Sequence, residues 1–158
     1  SDEGKAVMIE HAVKKEISVK YPQDPIFYES LLTRLSEIIE DYQKERISSA
    51  ERLKKASEIL DEAKHPERRA EKYGVESEVI PFYDRLTKDL ENPDQYKRTA
   101  SDILHVIKQH AVVGWRQGLE SKRLMRQGIK RVLRETEFPS EKIQEVSELL
   151  IELAEQRY

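Results

Sequence analysis

The sequence predicts an all-α protein, a compact bundle of about seven helices, on three observations. Leu, Ile and Val recur at i, i+3, i+4 and i+7 in nearly every window. No stretch alternates strictly, as a half-buried strand would. Charged residues make up 37% of the chain and apolar residues another 37%, with only 5 glycines, which is the balance of long amphipathic helices with one wet face each.

In chain order, a first helix over 4–19 is anchored by Val7, Met8, Ala12 and Val13 and stops before Tyr21-Pro22. The clearest one begins at Asp24-Pro25, an acidic cap followed by Pro at the first helical position. Its stripe is Phe27, Leu31, Leu35, Ile38 and Tyr42, with Tyr28, Leu32 and Ile39 beside it. Ser48-Ser49-Ala50-Glu51 reads as a capping box that opens a helix presenting Leu53, Ala56, Leu60 and Ala63. Pro66 should kink or restart that helix, and Gly74 after Tyr73 should close it with a cap in the left-handed conformation. A shorter helix over 78–91 tolerates Pro81 in its first turn. Asn92-Pro93 opens another, bearing Tyr96, Ala100, Ile103, Leu104 and Ile107. Gly114 and Gly118 flank the single Trp115 and mark a break. A basic helix over 119–135 and an acidic one over 140–157 complete a single domain spanning 1–158.

Chemistry is sparse. With no Cys, disulfides, zinc ribbons and thiol catalysis are excluded. Glycines at 4, 74, 114, 118 and 128 supply neither a phosphate-binding loop nor a dinucleotide fingerprint. His105 and His110 fall about 140° apart around a helix, and no His-Glu-x-x-His occurs, so no metal site is expected. Carboxylates such as Glu37, Glu40 and Asp41 fall on polar helix faces rather than converging. A net charge of −3 argues against the whole molecule acting as an electrostatic nucleic-acid binder. No apolar run reaches the length of a membrane span, and the amino end carries no signal pattern, so a cytoplasmic setting is expected.

One charge anomaly stands out. From Gly114 to Glu135 seven cations face two anions, and Lys122, Arg126, Lys130 and Arg134 recur every fourth residue as a ridge. From Glu137 to Tyr158 six anions face two cations. The ridge therefore has three readings: an internal partner for the acidic helix, a protein-docking surface, or a phosphate-binding one. The candidate interaction surface is Trp115, Arg116, Lys122, Arg123, Arg126, Lys130, Arg131 and Arg134. Trp115 carries two readings of its own, a binding anchor or a plug at the helix junction.

Four segments resemble the carboxy-terminal helical domain of the restriction (motor) subunit of type I restriction–modification enzymes. They are Ile9-Glu10-His11-Ala12-Val13; Asp24-Pro25-Ile26-Phe27-Tyr28 through Leu31, Arg34-Leu35 and Ile38-Ile39; Phe82-Tyr83-Asp84 with Leu86; and Trp115 followed by the basic run of 122–133. Gly128 departs from the pattern, sitting where a stronger helix former is expected. The resemblance implies a C-terminal fragment of a larger ATP-dependent nuclease and DNA translocase, and the opening Ser1 agrees with a fragment. ATP and Mg would belong to the parent, with no cofactor, metal or catalytic residue in this chain. It further implies docking onto the methyltransferase core, the modification and specificity subunits, with DNA met through the parent complex and no membrane. The alternative is a nucleic-acid contact module using the basic helix over 119–135.

Overall fold

The computed structural model describes residues 1–158, and every regular element in it is helical. There are eight α-helices, one more than the sequence predicts, joined in part by short 3-10 turns. The extra one is a five-residue helix after Pro66, the restart that the sequence allows there, and Gly74 follows it in the left-handed conformation as expected. No helix is long and apolar enough to cross a membrane. The chain divides into two compact units, Ser1–Arg69 and Ala70–Tyr158, each with its own hydrophobic cluster.

The first unit holds α1 (Asp2–Lys20), α2 (Pro25–Gln43) and α3 (Ser49–Lys64). Along α2 the stripe falls as its period dictates, with Phe27, Tyr28, Leu31, Leu35 and Ile38 buried. Leu32 and Tyr42 lie outside that buried set. Asp24 occupies the position before Pro25, but its side chain does not cap the helix. Its carboxylate takes the Arg69 guanidinium at 2.5 Å instead, while that guanidinium stacks 3.8 Å from the Phe27 ring centre. The Tyr28 hydroxyl donates to the Ala63 carbonyl at 3.0 Å, fixing α2 against the end of α3.

The faces of α1 and α3 differ from expectation. Helix α1 buries Ala6, Glu10, Val13 and Ile17, whereas Val7, Met8 and Ala12 are exposed. Helix α3 buries Arg52, Ala56, Ile59 and Ala63, leaving Leu53 and Leu60 half-buried. Both stripes are turned toward one contact, a bidentate ion pair between Arg52 and Glu10 at 2.6 and 2.7 Å. The capping box at Ser48 is half made. Its hydroxyl accepts from the Glu51 amide at 3.1 Å, but the Glu51 carboxylate meets that hydroxyl rather than a backbone donor.

The second unit takes in most of α4 (Arg69–Tyr73), then α5 (Ile80–Thr87), α6 (Lys97–His110), α7 (Leu119–Glu135) and α8 (Ile143–Arg157). Helix α5 is shorter than the predicted 78–91 and starts with Pro81 in its first turn. Asn92-Pro93 opens a 3-10 turn that runs into α6. Helix α7 has the predicted bounds and packs between α6 and α8. Its buried line is Met125, Ile129 and Leu133, while Leu124 faces solvent. The core is completed by Phe82, Leu86, Ile103, Ile107, Phe138 and Leu150.

Gly128 finds its reason here. A Cβ at this position would stand 2.5 Å from Val106 Cγ1, so a larger residue would have to displace the Val106 side chain of α6. The position selects against a better helix former because the neighbouring helix occupies the space.

Candidate interaction surface

Helix α7 presents three different sides, and its cations are divided among them. The apolar line of Met125, Ile129 and Leu133 is buried in the unit's core. A second side faces α8. There Lys122 pairs with Glu155 at 3.1 Å, and Arg126 grips both oxygens of Glu148 at 2.5 and 3.3 Å. Lys130 donates to the Gln144 side chain. Hydrogen bonding to Glu148 is what holds the Arg126 guanidinium above its ordinary basicity. These pairs are partly wet, so each is worth only about 0–1 kcal/mol, and they orient α7 on α8 more than they stabilise it.

The third side is solvent. Arg123 closes on Glu120 one turn back, at 2.6 and 2.9 Å, and so is satisfied within its own helix. Arg131 and Arg134 are exposed and make no ion pair. Of the four-residue ridge, then, Lys122, Arg126 and Lys130 are directed to α8 and Arg134 alone is free. The ridge is not one surface.

Ahead of α7 the chain makes a turn that the glycines set up. Gly114 sits at φ 79°, where an L side chain is strained, and reverses the chain so that Trp115 can enter the core. Trp115 is 3% exposed and packs with the core cluster, and its indole N–H has no hydrogen-bond partner. The ring thus acts by shape, filling the junction from within. Its amide donates to the Val112 carbonyl at 3.0 Å, and the Gly118 amide donates back to the Trp115 carbonyl at 3.0 Å. The turn is pinned from both sides.

What this pinned turn shows to water is apolar. Val113 is fully exposed, Val112 about half so, and Leu119 is 88% exposed, with Arg116 exposed between them. These three aliphatic residues were not singled out from the sequence. The available signal was Val112-Val113 lying outside any helical stripe and just ahead of a glycine, where core-facing residues have no reason to fall. The turn thus exposes three aliphatic side chains and one unpaired guanidinium to solvent, side chains of the kind that contact another protein surface.

The histidines do not converge. His105 is exposed and shares a 3.3 Å contact with Gln109, and His65 lies in the other unit, 3.2 Å from Glu67.

Among known proteins, the chain matches the profile of a family described as "Type I restriction enzyme HindI endonuclease subunit-like, C-terminal", over residues 3–158. No curated protein and no solved structure gives a significant match.

Proposed function

The chain belongs to the family of C-terminal domains of HindI-like type I restriction endonuclease subunits, and from that premise we propose that it docks its subunit onto the methyltransferase core. The observation that carries this reading is the pinned turn, with Val112, Val113 and Leu119 in solvent beside Arg116. Isolated exposed valines are ordinary on any surface. Three within eight residues, held on a buried Trp115 and closed by backbone hydrogen bonds, are ordered before binding, so little conformational entropy is lost on contact. In this reading the parent subunit works in the cytoplasm, and ATP, Mg and the cleavage chemistry belong to parts of it outside this chain. The partners are the modification and specificity subunits.

The test is calorimetric titration of this chain into the cognate methyltransferase core, with and without DNA, at low and moderate salt. Docking predicts binding without DNA that survives the salt, and a loss of tenfold or more for Val113→Asp with Leu119→Asp. No DNA-independent binding sinks the reading.

A second reading rests on a different observation, the three unpaired arginines Arg116, Arg131 and Arg134. They suit phosphate contacts, for which binding would appear only with DNA and fall steeply as salt rises. Glu155 and Glu148 of α8 neutralise Lys122 and Arg126, and Glu120 neutralises Arg123, which leaves less free charge for such a module and favours docking.

A further inference from the structure

Helix α1 carries apolar residues on two opposite faces, and its unit uses only one. Ala6, Glu10, Val13 and Ile17 point inward. On the other side Met8 is 73% exposed and Val19 70%, with exposed Ala12 and Lys15 between them. Residues 8, 12, 15 and 19 are spaced four, three and four apart, which keeps them on one line along a helix. That alternation is the seam a second helix fills, and a strand or loop has no matching period. Counted from Lys5 to Val19 the line is about 21 Å long at 1.5 Å per residue. Ala12 at its middle is small enough for another backbone to come close.

We propose that the outer face of α1 is a seam for an amphipathic α-helix of another polypeptide, one whose apolar stripe is flanked by acidic side chains. The charges on this face choose that occupant. Lys5 and Lys15 lie on the line or beside it, both exposed and neither in an ion pair. The carboxylates of the helix are engaged or elsewhere: Glu10 is buried on Arg52, Glu16 holds Lys20 at 2.7 Å, and Asp2 and Glu3 sit at the amino end off the line. The face is cationic with no free acid of its own. A second copy would bring lysines to lysines with nothing to neutralise them, and three apolar side chains are a small footing for a lipid surface.

The proposal rests on the docking reading only for its probe, the methyltransferase core. That core is titrated with the wild-type chain, with Met8→Glu plus Val19→Glu, and with Lys5→Glu plus Lys15→Glu. These positions are exposed, so each variant should keep its circular dichroism spectrum. The expected result is a tenfold or greater loss of affinity for both variants, with a shallower salt dependence for the lysine reversal. A photo-crosslinker placed at position 8 should capture an acid-rich helical peptide. Unchanged affinity in both variants, beside tight wild-type binding, overturns the seam and leaves docking standing. Silence from the wild type overturns both. A wild-type dimer that Met8→Glu plus Val19→Glu breaks in sedimentation, or binding to anionic vesicles that it abolishes, overturns the assigned occupant.

Discussion

The carboxylate of Glu10 and the guanidinium of Arg52 meet with their side chains 8% and 9% exposed, and Tyr42 covers the guanidinium at 4.5 Å from its ring centre. Removing one partner leaves a charge buried without its counterion, so Glu10→Ala should destabilise the chain by about 3–5 kcal/mol. Glu10→Met with Arg52→Leu should lie within about 1–2 kcal/mol of wild type, because both desolvation costs vanish together. Urea unfolding of the two variants checks the contrast. The same pair explains where the sequence misled. Reading α1 and α3 for apolar period alone turns each helix toward Val7, Met8, Leu53 and Leu60, since a charged residue inside a core stripe counts as a wet position. In α2, where no charge enters the stripe, the period placed Phe27, Leu31, Leu35 and Ile38 correctly. Trp115 offers a second single-residue test. Trp115→Ala should cost about 3–5 kcal/mol through the cavity left behind, whereas Trp115→Phe removes an unpartnered indole N–H and should cost much less.

Among the elements, α6 and α7 come close together at Gly128. In an open helix Gly128→Ala would stabilise by about 1 kcal/mol. Here the added methyl runs into Val106, a branched side chain with little freedom on a helix, so the substitution should destabilise by about 1–2 kcal/mol. Adding Val106→Ala should recover part of that loss, and paired thermal melts measure it. Two helix ends carry the opposite opportunity. After α2 and after α7 the chain closes with paired backbone bonds, Arg46 to Asp41 with Glu45 to Tyr42, and Phe138 to Leu133 with Glu137 to Arg134. Both closures put a glutamate in the left-handed region, Glu45 at φ 58° and Glu137 at φ 55°, where glycine is the usual occupant. Glu45→Gly and Glu137→Gly should each raise stability by about 0.5–1 kcal/mol, read as a higher urea midpoint. The starts of helices were legible in the sequence because Asp24-Pro25, Ser48 and Asn92-Pro93 announce them locally. The end of α7 was legible too, at 135, but the left-handed glutamates that close α2 and α7 were not, because no glycine marks them.

Across the whole molecule, each unit carries a phenol whose proton is held up to about pH 12. Burial, aided by the negative charge of Asp24, pushes Tyr28 up to about 12. Burial, aided by a hydrogen bond to Glu78, pushes Tyr158 up to about 12. Both folded values lie above the ordinary value near 10, so the stability they contribute is complete below about pH 10 and is lost as the pH climbs toward 12. Urea midpoints should therefore fall over that interval, and Tyr28→Phe with Tyr158→Phe should flatten the fall. Of the candidate surface, the helix bearing the cations and the glycine-framed Trp115 were readable in the chain. The division of those cations between α8 and solvent was not, because it depends on which side of α7 meets Glu148 and Glu155. The Glu10–Arg52 pair carries one more consequence, for descent. A lineage that changes either residue alone crosses a deep valley of instability, while one that changes both at once reaches level ground. The pair is therefore apt to persist by inertia, and its persistence among descendants would say nothing about what the protein does.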